Sequence, residues 1–356
     1  MLTQAVRQEA RDPRSTVLGR AALVPVAALS LVLVLRATPL QDSAVARTFV
    51  LVFTSIVVEA LPFILLGALV SALIEVFVPD SIFDRIARLP LPFQIPGAAL
   101  GGLALPVCEC GSIPVARRLI ARGLHQSAGL AFMLAAPVIN PVVLFSTYVA
   151  YKDRGFGLKM VTGRAVVGLG VAIFVGWLLG SGRVPRLLRA GTGDPTEPSA
   201  PAGSHTHLHF HGDEATGRLK VRRNPVLELS DHLATDFFFM ARFVVLGGAF
   251  AALLQTAIPQ SIGSALASNV IVASLTMMGL AFMLSLCSEA DAFVAVSFTD
   301  FGFAPQLAFL VFGPALDTKL ALLYGAIFRK GFVLMLLLVL VPAVLFGVLL
   351  FERIAL

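Results

Sequence analysis

The chain has 356 residues, with 27 Lys and Arg against 21 Asp and Glu for a formal net charge of +6, and only 13% of its residues are charged while 57% are hydrophobic. A soluble domain carries about 25% charged residues, so the composition, with a mean hydropathy of +0.89, excludes a disordered chain, a nucleic-acid-binding protein and an ordinary cytosolic enzyme. Three Cys cannot build a disulfide framework, and the class implied is an all-α polytopic membrane protein whose first partner is the lipid bilayer.

A membrane helix needs about 20 mostly apolar residues. The first candidate, residues 21–35, follows Arg7, Arg11, Arg14 and Arg20. It reads as an uncleaved first helix, because Arg36 closes it and Glu9 and Asp12 interrupt the basic region; a signal peptide cut near residues 43–46 is the alternative. Residues 49–78 form a long run broken only by Glu59, Pro62 and Glu75. An amphipathic stretch, residues 80–92, suits the membrane interface. Residues 95–107 make about half a span and end in Cys108-Glu109-Cys110-Gly111-Ser112, and residues 113–120 make a second short leg. The two legs predict a re-entrant hairpin turning at the Cys/Gly/Ser sequence. Residues 128–151 and 160–179 are predicted as spanning helices.

Residues 182–224 change character, with Pro195, Pro198, Pro201, many Gly and Ser and seven Lys or Arg. This is a flexible linker, placed in the cytoplasm by the positive-inside rule together with the basic N-terminus. Beyond it come apolar segments at 233–258, 265–287, 290–298, 305–328 and 332–351.

The two halves resemble each other. Residues 105–112 match residues 284–291 at an offset of 179, aligning Cys108 with Cys287, Cys110 with Glu289 and Ser112 with Asp291. Residues 130–140 match 307–317, aligning Pro137 with Pro314 and Asn140 with Asp317; Gly67 and Pro79 match Gly247 and Pro259. Chance similarity of apolar segments does not keep Cys, Gly, Pro and Asn/Asp in one register. The pattern predicts two inverted-topology repeats, each with three spanning helices and a re-entrant hairpin, plus one extra N-terminal helix. The division is residues 1–47 for the basic N-terminus and first helix, 48–181 for repeat 1, 182–229 for the linker and 230–356 for repeat 2.

Inverted repeats with broken helices belong to secondary transporters. The substrate-binding candidates are Cys108, Glu109, Cys110 and Ser112 with Asn140 and Pro141 from the first repeat, and Cys287, Glu289, Asp291 and Asp317 from the second. Thiolates two residues apart can share one soft metal or metalloid; packing of Cys as a small hydrophobe is the plainer alternative. A turn at the aqueous interface is the plainer reading of Glu289 and Asp291. The Pro-containing breaks at Asn140-Pro141 and Asp317 either expose carbonyls to a ligand or merely kink a helix, and Asp317 has Lys319 nearby as an internal partner. Glu59, deep in its span, is the proton-coupling candidate, with Arg164 or Arg242 as its partner in a structural ion pair or with both snorkelling. In the linker, His205, His207, His209 and His211 alternate, which suits weak binding of zinc or copper; a fortuitous polar tract is the alternative. No cofactor is otherwise required.

The run of residues 105–116, followed by Ala135-Ala136-Pro137-Val138-Ile139-Asn140-Pro141, resembles the bacterial predicted-permease family that includes the trivalent organoarsenical efflux permeases. The resemblance extends over residues 48–351. It implies a multi-pass inner-membrane permease exporting a thiophilic species such as a trivalent arsenical. Alternatives are a zinc or copper permease, or a non-transporting membrane subunit of a metal-handling complex; a homo-oligomer or a membrane partner subunit fits any of them. An intramembrane enzyme lacks support, for there is no His-Glu-x-x-His, Walker loop or nucleophile elbow.

Overall fold

The computed structural model describes residues 44–77, 89–104, 107–121, 123–180, 225–257, 269–328 and 331–355. The segment at 21–35, the stretch at 78–88, Pro79, Pro259 and the linker with its four His lie outside the described residues. Within them the chain is helical and forms no β-strand. In chain order the helices are α1 (Ala44–Phe77), α2 (Leu91–Gly101), α3 (Glu109–Ala121), α4 (Gln126–Ile139), α5 (Pro141–Tyr151), α6 (Gly157–Gly180), α7 (Pro225–Ala257), α8 (Val270–Leu284), α9 (Asp291–Ser297), α10 (Phe303–Phe312), α11 (Thr318–Ile327) and α12 (Phe332–Ala355).

Among the described residues five segments are long and apolar enough to cross a bilayer: Ala46–Leu73, Gln126–Arg154, Gly157–Gly180, Leu233–Thr256 and Phe332–Ile354. Helix is the form available to such sequences, because in hydrocarbon every backbone N–H and C=O must be satisfied within the segment. Helix α4 is apolar on all sides, and residues 127–139 are all buried; residues 304–312 of α10 are buried in the same way. These two short helices form the centre of the molecule. Around them α1, α6, α7 and α12 turn residues such as Leu51, Val58, Val166, Leu253, Leu338 and Phe346 outward, each more than half exposed, as lipid-facing surfaces require.

Close approach replaces the hydrophobic drive in such packing. Helices α1 and α3 cross where Gly67 meets Gly111, and a Cβ on Gly111 would lie 3.0 Å from the Gly67 Cα. Helix α7 meets α11 in the same manner, for a Cβ on Gly247 would fall 2.7 Å from the Cα of Lys319.

One expectation is corrected, and two helix breaks fall at the Pro-containing sequences that predict them. The Cys-Glu-Cys-Gly-Ser sequence is not the turn between two legs: Glu109, Cys110, Gly111 and Ser112 are the first turn of α3, and the chain leaves α2 at Gly102. The segment 128–151 is two helices, interrupted at Asn140, where Pro141 has no N–H to continue the ladder and the Asn140 side chain caps α5. The segment 305–328 is also two helices, separated at residues 313–317, and Asp317 caps the second.

Candidate functional site

The polar centre is assembled where helices stop. The Cys108 carbonyl accepts the Ser112 N–H at 2.9 Å and so opens α3, with Glu109 in its first turn. A carboxylate there is favoured by the positive end of the helix dipole. On the other side α8 ends at Ser285, a left-handed residue at φ 50°. The Cys287 carbonyl then accepts the Ala290 and Asp291 N–H groups, both at 3.0 Å, and α9 begins.

These two helix breaks meet. The Cys108 thiol lies near those of both Cys110 and Cys287. All three are free and buried. Sulfur and oxygen ligand atoms of Glu109, Cys287 and Glu289 lie within 4.8 Å of one another. The Ser288 hydroxyl spans the two carboxylates, 3.1 Å from Glu109 Oε2 and 3.4 Å from Glu289 Oε2. Glu109, 1% exposed, is neutralised by Lys319, whose Nζ lies 2.7 Å from its Oε1.

Such a pair is strongly held once formed. Removing one partner of a buried pair leaves an uncompensated charge at a cost of about 3–5 kcal/mol. The Lys319 ammonium also faces Asp317 Oδ2 at 3.5 Å and the carbonyls of Ser285 and Leu286, both at 3.4 Å.

The other predicted residues are engaged by backbone groups or an ion pair. Ser112 Oγ donates to backbone, lying 3.0 Å from the Glu109 carbonyl and 3.3 Å from that of Met133. Asn140 accepts the Val142 N–H at 2.9 Å and donates to the Val107 carbonyl at 3.4 Å, while Pro141 is the first residue of α5. Asp291 is gripped by Arg164, and Asp317 accepts the Leu320 N–H at 2.7 Å.

The expected partnership of Arg164 with Glu59 is corrected: Arg164, completely buried, donates to both oxygens of Asp291, to Thr147 Oγ1 and to the Ser288 carbonyl. Nor is Arg242 paired with Glu59; its guanidinium stacks on the rings of Phe239 and Phe243, 4.4 and 4.8 Å from their centroids. Glu59 is half-buried on α1 and feels the charges of Lys319 and Glu109. The sequence reading paired Lys319 with Asp317 alone and missed Glu109. The available signal was the lysine itself, an ionisable residue inside an apolar segment, which needs a partner wherever the fold supplies one.

Comparison with known proteins gives a consistent result. The family model described as "predicted permease" (ArsP_1) matches residues 45–352. The UPF0718 protein YcgR of Bacillus subtilis (strain 168) is 40% identical over 301 residues, covering 84% of this chain and 95% of the relative. A protein of Streptococcus mutans serotype c (strain ATCC 700610 / UA159), provisionally named a two-component membrane permease complex subunit, is 32% identical over 285 residues, covering 80% and 88% of the two chains. No solved structure matches the chain. Apolar helices long enough to span, a buried polar centre at broken helices and a family match over nearly the whole described chain lead to one conclusion: the protein belongs to this family of predicted membrane permeases, transporters rather than enzymes.

Proposed function

We propose that the protein is a secondary transporter of the bacterial inner membrane that exports a thiophilic metal or metalloid species, such as a trivalent organoarsenical. The observation that carries this reading is the cluster of Glu109, Cys287 and Glu289, whose ligand atoms lie within 4.8 Å of one another with the Cys108 thiol near Cys287. Thiolates select soft ions, and adjoining carboxylates make a site that is not purely sulfur, from which such an ion can also leave. Substrate binds there, Glu59 carries the coupling proton, and Ser112, Asn140, Pro141, Asp291 and Asp317 form the surrounding frame. The His-rich linker takes up zinc or copper without being needed for transport.

The two halves act as inverted repeats, residues 48–181 and 230–356, with α2–α3 and α8–α9 as re-entrant hairpins. Matching local details support that reading. The Cys108 and Cys287 carbonyls open equivalent turns, Asn140 and Asp317 cap equivalent helices, and α2 packs on α4 as α8 packs on α10. The N-terminus and linker are cytoplasmic.

The test is flux. Proteoliposomes containing the purified protein should accumulate a trivalent arsenical, antimonite, cadmium, zinc or copper ion, and the Cys108→Ser/Cys110→Ser variant should not. No flux of any thiophilic species would overturn the reading. A second reading, a subunit of a two-component permease complex, is favoured by the name of the Streptococcus relative; flux that appears only when a co-expressed membrane partner is added would select it.

A further inference from the structure

The Lys319 ammonium sits in a cage of four oxygens: Glu109 Oε1 at 2.7 Å, Asp317 Oδ2 at 3.5 Å, and the carbonyls of Ser285 and Leu286 at 3.4 Å each. Two carboxylate and two carbonyl oxygens around one positive centre are the surroundings of a bound metal cation. Several features hold the cage open. Ser285, at φ 50°, bends the chain where those two carbonyls arise. Asp317 Oδ2 accepts no hydrogen bond although the residue is 1% exposed, while its Oδ1 is spent on capping α11. Gly247 brings α7 against the lysine's own backbone and Cβ, so the side chain is directed inward.

Glu109 belongs to two sets at once. One oxygen holds Lys319, while a ligand oxygen of the same carboxylate lies within 4.8 Å of those of Cys287 and Glu289. We propose that Lys319 is a tethered counter-cation: its ammonium fills the site between transport events, and a cargo cation bound at Glu109, Cys287 and Glu289 displaces it. The inference rests on the thiol-site reading given above. Glu109 cannot give full charge to a metal while it neutralises an ammonium, and two positive centres sharing one carboxylate repel. The competition weakens cargo binding on purpose, because a site that held a soft cation by thiols and uncompensated carboxylates would not release it. Other titratable groups near the lysine are Glu59 on α1 and the thiols of Cys110 and Cys287. On α7, Asp236 is occupied by Arg118.

Binding of cadmium ion alone to the purified, detergent-solubilised full chain tests this. Lys319→Met should bind cadmium at least tenfold more tightly than wild type and transport it more slowly, whereas Lys319→Arg, which keeps the charge, should not tighten. Lys319→Gln, which retains a donor at the carboxylates, serves if the Met variant does not fold. A merely structural ion pair gives no tightening, since Glu109 without Lys319 would bind cadmium no better than before. Unchanged or weaker binding in folded Met or Gln variants, with wild-type binding still dependent on Cys108 and Cys287, overturns the counter-cation and leaves the thiol site standing. Wild-type binding that ignores the cysteines overturns the site itself.

Discussion

Arg164 on α6 grips Asp291 at the start of α9 with two parallel hydrogen bonds, 2.8 Å to Oδ1 and 2.7 Å to Oδ2, in a setting where the arginine is wholly buried. The same guanidinium reaches the Ser288 carbonyl at 3.3 Å. One side chain from the first half therefore fixes the turn of the second half that carries Cys287, Ser288 and Glu289. Bidentate Arg–carboxylate geometry supplies direction as well as energy.

Breaking this pair should be costly. Arg164→Met leaves Asp291 buried and unpaired, and about 3–5 kcal/mol of stability should be lost. Arg164→Lys keeps charge but not the fork, so a smaller loss is expected. The Arg164→Met/Asp291→Leu double variant should recover most of it, because both polar partners leave together. Thermal unfolding in detergent, followed by a thiol-independent probe, measures all three; equal melting of wild type and Arg164→Met would show that the pair is not a brace.

Helix contact gives a second prediction. Gly67→Ala should destabilise the crossing of α1 and α3 by about 1–3 kcal/mol, since its Cβ meets the backbone of Gly111. Gly97→Ala, where a Cβ has nothing within 4 Å, should be neutral or gain up to about 1 kcal/mol from helix propensity. The contrast between the two in expression level and melting temperature checks the packing.

The thiols give a third. Cys108→Ser, Cys110→Ser and Cys287→Ser each keep size but lose the soft ligand, so transport of a thiophilic ion should fall at least tenfold while gel-filtration behaviour stays that of wild type. Retained flux in the Cys108→Ser/Cys110→Ser variant would make the cysteines packing residues.

Deleting residues 204–214 removes His205, His207, His209 and His211 but touches neither half of the helical body. Transport should remain within about twofold of wild type, because a polar tract with so few apolar residues has little to contribute to a core. Loss of flux in a folded deletion variant would make the histidines an obligatory donor.

Orientation is open to labelling. A single reporter Cys near residue 190, in a background lacking Cys108, Cys110 and Cys287, should react with an impermeant thiol reagent only in everted vesicles. Labelling in right-side-out vesicles would reverse the topology.

The membrane class, most spans, the Asn140-Pro141 interruption and the meeting of Cys108 with Cys287 were legible without coordinates. Composition and hydropathy are local sums, and the Cys-containing run at 105–112 recurs at 284–291, so those features can be read from residue order alone. Other features were decided only by the fold. Cys110, Gly111 and Ser112 read as a turn because Gly and Ser weaken helices, yet the Cys108 carbonyl and tertiary packing make them a helix start. Lys319 finds Glu109 across 210 residues, and Arg164 finds Asp291 across 127. An ion pair between distant residues leaves no trace in spacing or periodicity: the sequence shows that a buried charge needs a counter-charge, and only the packing of α3, α6, α9 and α11 decides which one it meets.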